Sequence, residues 1–336
     1  MRGLDGKGVL IVGGTSGIGL ATARRFLEEA SRVFVAGNDE AELKETRATL
    51  GELGTIDGLV GDVSVEGDVE AIVRGATAFL SRIDVLINNA GVAHKAPFLE
   101  TRTEAWDRTI AVNLRGMFLA ARAVGRLMAA DGAGGAIVNM ASTNALGGEE
   151  LYTAYNASKG GVLQLTRTMA LELGSAGIRV NCLCPGFIDT PLNRGLEDEA
   201  WIQAYEREHI PLGRRGRADE VAAAYAFLAS EEASFIHGAA LVIDGGTKSF
   251  SSDGGDGPPF PGRGVVVGRP DLVLDFMSEE HGVGHLVGDA ELRIGERLQV
   301  IPLHVCSTVN LFDVAFGVRD RVVEREIAIA ARGKVQ

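Results

Sequence analysis

Seven short apolar runs, each separated from the next by a longer amphipathic stretch, constrain this 336-residue chain most. They are Val9–Val12, Val33–Ala36, Gly58–Val60, Val85–Asn88, Ala136–Met140, Arg179–Leu183 and Ala240–Ile243. The stretches between them carry helical spacing, for example over Ile18–Ala30, Val69–Ser81, Trp106–Ala130 and Tyr155–Gly174. A strand that is apolar on both faces must be covered on both faces, and intervening helices supply that cover. The expected fold is therefore α/β: a doubly wound parallel sheet of the Rossmann kind, with its ligand at the carboxyl ends of the strands.

This regime spans residues 1–248 and then stops. Residues 249–263 are rich in Gly, Pro, Ser and Asp without periodicity, which marks a linker. From residue 264 to 336 short β-like runs take over, at Gly264–Val267, His285–Val287, Arg297–Ile301, His304–Val309, Val314–Val318 and Val322–Val323. They predict a small, mostly β module, of a size at which independent stability is marginal.

The bulk numbers exclude several roles. A formal charge of −12 argues against nucleic acid and against anionic membrane surfaces, both of which select basic faces. No stretch approaches the apolar length of a membrane helix. The opening Met1-Arg2-Gly3-Leu4-Asp5-Gly6-Lys7 runs straight into a strand, and the three cysteines make no disulfide framework. A cytoplasmic enzyme with a small-molecule substrate is the expectation.

Several short pieces, in order along the chain, carry the chemistry. Gly13-Gly14-Thr15-Ser16-Gly17-Ile18-Gly19 lies between the first strand and first helix, where glycines let backbone amides approach a pyrophosphate. Asp62-Val63 ends the third strand, where a carboxylate can accept from an adenine amino group. Asn88-Asn89-Ala90-Gly91 ends the fourth, with Asn89 placed to tie neighbouring strands and Ala90-Gly91 leaving room for a cofactor. Ser142 follows the fifth strand. Tyr155 and Lys159 lie four apart and share a helix face, so the lysine charge is expected to lower the phenol pKa toward a value useful for proton transfer. Asn113, inside a long helical stretch, is out of place on propensity grounds and fits a role holding a water behind Lys159.

Residues 5–248 resemble the short-chain dehydrogenase/reductase family, on the glycine loop, Asn-Asn-Ala-Gly, Ser142, Tyr155-Asn156-Ala157-Ser158-Lys159 and Pro185-Gly186. The resemblance implies Tyr155 as general acid/base, Lys159 holding the ribose, Ser142 polarising the carbonyl, and Asn113 ordering a relay water. It also implies cofactor contacts from Gly13, Thr15, Ser16, Gly17, Ile18, Gly19, Asn38, Asp62, Val63, Asn89, Ala90, Gly91, Pro185, Gly186, Ile188 and Thr190, and a homotetramer. Val12 stands where the family usually has threonine. After the second strand neither an aspartate for a ribose diol nor an arginine for a 2′-phosphate is present. Asp39 and Glu40 tip the expectation to NAD over NADP, although Asn38 and Ser16 can hydrogen-bond a phosphate. The substrate segment is expected at Ile188–Arg217, with Phe187, Trp201 and Tyr205; its arginines (Arg194, Arg207, Arg214, Arg215) read as solvated partners of nearby acids. Cys182 and Cys184 read as buried thiols.

In the tail, His304 and Cys306 lie two apart and can reach one ion from one strand face, a pair suited to zinc or another divalent metal. His281 and His285 are further candidate ligands. Residues 264–336 resemble the C-terminal β domain of the D-threonine aldolase/D-serine dehydratase family, through Gly268-Arg269-Pro270-Asp271, Ser278-Glu279-Glu280-His281-Gly282, Ile301-Pro302-Leu303-His304-Val305-Cys306, Thr308-Val309-Asn310-Leu311 and Ala331-Arg332-Gly333. That resemblance implies His304 and Cys306 as metal ligands. In that family a PLP barrel precedes this domain, and here the reductase segment takes its place, so the module is not expected to act alone as an aldolase or dehydratase. It is expected to shape the substrate site, bind a metal or persist as a docked fusion; the alternative is that it serves hydroxy-amino-acid chemistry or docks a separate PLP-barrel partner.

Overall fold

The computed structural model describes residues 1–193 and 198–247, and six backbone strands beyond residue 263. It divides into two units, Met1–Lys248 and Ser249–Gln336.

The first unit is built on a seven-stranded sheet. Its strands are β1 (Gly8–Val12), β2 (Arg32–Gly37), β3 (Ile56–Val60), β4 (Val85–Asn88), β5 (Gly135–Met140), β6 (Ile178–Pro185) and, after a short parallel pair β7 (Ile188–Asp189) and β8 (Gly216–Arg217), β9 (Ala240–Ile243). The order is β3-β2-β1-β4-β5-β6-β9, every pairing parallel. All five residues of β1 are buried, as expected for a strand covered on both faces.

The helices are α1 (Gly17–Glu28), α2 (Glu40–Leu50), α3 (Glu66–Leu80), α4 (Thr103–Ile110), α5 (Met117–Asp131), α6 (Thr153–Leu173), α7 (Glu199–His209) and α8 (Ala218–Ala229). In α1 the buried positions are Gly19, Thr22, Ala23, Phe26 and Leu27, the spacing of a single helical stripe. Two apolar layers result. One gathers Ile11, Phe26, Val138, Leu183 and Tyr225, the other Leu10, Phe34, Ile72, Val124 and Ile137. Among the described residues no helix is long and apolar enough to cross a membrane.

One expectation needs correcting. The continuous helix read over Trp106–Ala130 is two helices joined by a π-helical segment, Ala111–Gly116, which contains Asn113. Such one-turn widenings are uncommon and concentrate at functional positions.

The second unit shows a four-stranded antiparallel sheet of β10 (Gly264–Val266), β11 (Leu272–Met277), β12 (Gly282–Leu286) and β13 (Val300–Pro302), in the order β12-β11-β10-β13. A hairpin of β14 (Val314–Arg319) and β15 (Val322–Ala328) follows. This is the expected β character, with β11 an element that the sequence reading passes over.

Candidate active site

The strand order reverses between β1 and β4, so the loops leaving their carboxyl ends diverge and open a cleft. Gly13 turns with φ +79°, and a methyl group there would come within 2.6 Å of Ala90 backbone. A methyl group at Gly19 would fall 1.8 Å from the Gly13 carbonyl oxygen. Both positions therefore exclude any side chain, and that bare backbone lets α1 present its amino end to the cleft. Asn89 holds the wall: its Nδ2 donates to Gly13 O at 2.8 Å, while the Asn89 and Ala90 amides donate to Val12 O. Ser16 is extended at the N-cap position of α1, with no capping bond from its hydroxyl; Ile18 is half-buried, and Gly17 sits against Thr190 and Pro191.

Thr15 is buried beneath this loop. Its hydroxyl donates to Glu42 Oε2 at 2.8 Å, and it fills the space beside Gly37, where a side chain would meet it at 2.5 Å. Asn38 is exposed, and Asp39 is committed to capping α2 through the Glu42 amide. Asp62 receives the Ser64 amide and hydroxyl and the Arg108 guanidinium, the last at 2.8 Å. Burial works to raise its pKa, but these donors outweigh it and hold the carboxyl below its usual range. Val63 packs on Gly116 at the end of the π-helical segment. On the far side of the cleft Gly186 donates to Ile243 O, Ile188 and Thr190 are buried, and Pro185 ends β6.

Ser142, Tyr155 and Lys159 converge at the carboxyl end of β5. Lys159 is buried and donates to Met140 O at 2.8 Å, with its ammonium 5.4 Å from the Tyr155 ring centre. A methyl group at Gly91 would lie 3.6 Å from Lys159 Nζ and 3.5 Å from Asn113 Oδ1, so Gly91 is the bare floor beside both. Burial pulls Lys159 down to about 8. Burial also pushes the Tyr155 phenol up to about 12, against hydrogen bonding with Ser142 and with help from the Glu149 carboxylate. The sequence leads one to expect a lowered phenol. The structure has the opposite, because the lysine is turned to the Met140 carbonyl and desolvation dominates both groups.

Asn113 is buried within the π-helical segment. Its Nδ2 donates to Val92 O at 2.9 Å and to Ser158 Oγ at 3.0 Å, while Oδ1 accepts from Val92 N at 2.8 Å. Both side-chain amide protons are thus spent, and the side chain ties the loop after Gly91 to α6.

Three features escape a sequence reading. Glu42 enters through a helix four residues past the expected ribose position. Asn144 and Glu149 enter through a short irregular stretch after Ser142, in which Asn144 Nδ2 donates to Glu149 Oε2 at 2.9 Å and to Asn156 Oδ1 at 2.8 Å. No periodicity marks any of them. The expected aromatic residues do meet: Phe187 packs edge-on against Trp201 and Tyr205, which stack on each other at 5.0 Å. Arg207, Arg214 and Arg215 pair with Glu208, Glu220 and Glu206 respectively, and Arg194 lies outside the described residues. Cys182 and Cys184 are both fully buried.

Residues 12–248 match the family model described as Enoyl-(Acyl carrier protein) reductase. The chain belongs to the short-chain dehydrogenase/reductase family. A D-threitol dehydrogenase from Mycolicibacterium smegmatis is 41% identical over 244 residues, covering 72% of this chain and 93% of that protein. The 3-oxoacyl-[acyl-carrier-protein] reductase FabG of Thermotoga maritima is 40% identical, covering 72% and 98%. The crystal structure of levodione reductase superimposes with a TM-score of 0.70 at 34% identity, covering 73% of this chain and 98% of that one. As a short-chain dehydrogenase/reductase the chain is an NAD(P)-dependent oxidoreductase acting on CH–OH groups of small molecules. Residues 228–318 also match a serine dehydratase domain model, which begins inside α8. The candidate metal ligands His304 and Cys306, and His281, lie outside the described residues, as does the His285 side chain.

Proposed function

We propose that the first unit interconverts a secondary alcohol and a carbonyl compound with Tyr155 as general acid/base, and that it prefers NAD to NADP. The observation that carries the reading is the convergence of Ser142, Tyr155 and Lys159 beside the bare Gly91. Bound along the glycine loop, the dinucleotide supplies or takes the hydride. Ser142 hydrogen-bonds the substrate oxygen. Tyr155 Oη gives that oxygen a proton in reduction and takes it back in oxidation. Lys159, when charged, would hold ribose hydroxyls of the dinucleotide. Asn113 is a positioning residue that fixes the Val92 loop against α6. Replacing Tyr155 with Phe should lower turnover by about a hundredfold or more while leaving dinucleotide binding intact; near-normal turnover would sink the reading.

The NAD preference rests on Glu42. Thr15 fills the space beside Gly37 and binds the Glu42 carboxylate; that charge supports the preference, because it would offer a ribose diol an acceptor and a 2′-phosphate repulsion. Asp39 and Glu40 add to that field. Calorimetric titration with NADH and NADPH checks it, and tighter NADPH binding refutes it.

The serine dehydratase match favours a second reading for the other unit. In it, His304 and Cys306 bind zinc or another divalent ion and the module serves hydroxy-amino-acid chemistry or docks a PLP-barrel partner. Metal analysis of wild type and His304→Ala decides it: no bound metal in wild type ends the reading. A cytoplasmic homotetramer completes the proposal, checked by light scattering.

A further inference from the structure

Hydrogen-bonded to the catalytic serine lies a polar cluster whose other members the reaction chemistry leaves without a role. Ser142 Oγ donates to Asn144 Oδ1 at 3.2 Å, and the Asn144 amide donates back to Ser142 Oγ at 3.2 Å. Asn144 Nδ2 then divides its two protons between Glu149 Oε2 and Asn156 Oδ1. Asn156 Nδ2 closes the ring on the Glu149 carbonyl at 2.7 Å. Both side-chain protons of Asn144 and one of the two on Asn156 are thereby consumed inside the cluster. What remains is mostly acceptor capacity: one lone pair each on Asn144 Oδ1 and Asn156 Oδ1, and those of the Glu149 carboxylate that Asn144 does not take, beside a single Asn156 proton. A surface of acceptors recognises donors, and the donors that a small neutral substrate offers are hydroxyl groups.

The spacing says where such a hydroxyl belongs. Asn144 Oδ1 is one hydrogen-bond length from Ser142 Oγ. Hydroxyls on adjacent carbons, in a gauche arrangement, also stand about one hydrogen-bond length apart. A substrate whose reacting oxygen sits at Ser142 therefore brings the oxygen of the neighbouring carbon to Asn144. The charge around the cleft points the same way. The Glu149 carboxylate bears on both the Tyr155 and the Tyr205 phenols, and Asp244 adds to it at Tyr205. Among the described residues of the neighbouring segment, Arg207, Arg214, Arg215 and Arg217 are drawn into ion pairs with Glu208, Glu220, Glu206 and Asp219. An anionic substrate meets two carboxylates here.

Resting on the reductase reading above, we propose that Asn144, Glu149 and Asn156 form a subsite for a second hydroxyl, on the carbon next to the reacting one. The preferred substrates are then uncharged vicinal diols and polyols, or the corresponding α-hydroxy carbonyl compounds. Asn144 and Glu149 determine specificity without touching the atoms that react.

The test uses the full chain with NAD and three alcohols of one carbon skeleton: secondary butanol, the vicinal butanediol and butanetetrol. Wild type should show kcat/KM at least tenfold higher for the diol than for the mono-alcohol. Glu149→Ala, at an exposed position that leaves the fold intact, should cut that ratio at least fivefold, chiefly through KM for the diol. Asn144→Leu should do the same, while Glu149→Gln, which keeps a carbonyl acceptor, should restore part of the preference. A wild-type enzyme that oxidises the mono-alcohol as well as the diol overturns the proposal and leaves the reductase reading standing. So does a ratio unchanged in both Glu149→Ala and Asn144→Leu. Absence of any alcohol-dependent NADH formation, equal to that of Tyr155→Phe, overturns both.

Discussion

Replacing Asn113 with alanine separates a positioning role from a purely local packing role. The wild-type side chain makes three hydrogen bonds from a fully buried position. Ser158 Oγ retains its own bond to Tyr155 O at 2.7 Å, so the two groups left stranded are the amide and carbonyl of Val92. Each unpaired buried polar group costs about 1–3 kcal/mol, and Val92 is half-buried, so the total should be about 2–4 kcal/mol. In a domain of this size that corresponds to a fall in Tm of roughly 5–15 °C. The Val92 loop continues from Gly91, the floor beside Lys159, so its release should also lower kcat more than tenfold in protein that remains folded. Asn113→Asp sharpens the test. It keeps an acceptor for the Val92 amide but turns a second acceptor toward the Val92 carbonyl, and should be at least as damaging. Thermal melts and steady-state rates on both variants check this. An alanine variant melting within 2 °C of wild type, or turning over within about twofold of it, would refute the reasoning.

Four further outcomes follow from the geometry. Because burial holds Lys159 at about 8 and Tyr155 at about 12, the lysine charge is lost as pH rises through about 8 while the phenol keeps its proton. Carbonyl reduction should therefore be flat at neutral pH and decline above about 8, whereas oxidation, which needs the phenolate, should climb; a reduction rate that climbs with it would contradict the assignment. Gly91→Ala places a methyl group at ordinary contact distance from Lys159 and Asn113, so it should leave the melting temperature unchanged but weaken NADH binding at least tenfold by calorimetry. Arg179 donates to the carbonyls of Leu228, Ala229, Ser230 and Ala233, where it satisfies the end of α8, and Arg179→Met should cost about 3 kcal/mol in denaturant unfolding. Glu42→Gln should raise NADPH affinity relative to NADH in parallel titrations; an unchanged ratio would remove Glu42 from cofactor choice.

The parallel sheet and the cleft were legible because their signals are local. An all-apolar strand such as Leu10-Ile11-Val12 and a glycine loop at its end each announce themselves within a few residues. Asn89 was readable for the same reason, as it sits at a strand end and its partner is the neighbouring loop. Other features depend on what tertiary packing brings together. The π-helical segment at Ala111–Gly116 leaves no mark in hydrophobic spacing, which continues across it. The direction of the Tyr155 shift turns on burial and on where Lys159 points, and neither follows from a four-residue interval. Asn144, Glu149 and Asn156 lie within thirteen positions of one another, yet only the folded turn shows that their amides serve each other. Strand β11 carries a poor strand signal in the sequence, because it follows Pro270-Asp271 and has Asp275 in its middle.

The bond from Asn89 to Gly13 joins residues 76 positions apart, across the one place where the sheet changes direction. No shorter N-terminal piece of the chain contains both walls of that cleft. The pocket therefore requires β4 docked beside β1, a long-range closure that carries an entropic cost. A dinucleotide has nothing to bind before that moment, and afterwards it favours every conformation in which the two halves of the sheet are joined. Cofactor abundance in the surroundings would thus set how long a newly made chain stays assembled, as well as how fast it works.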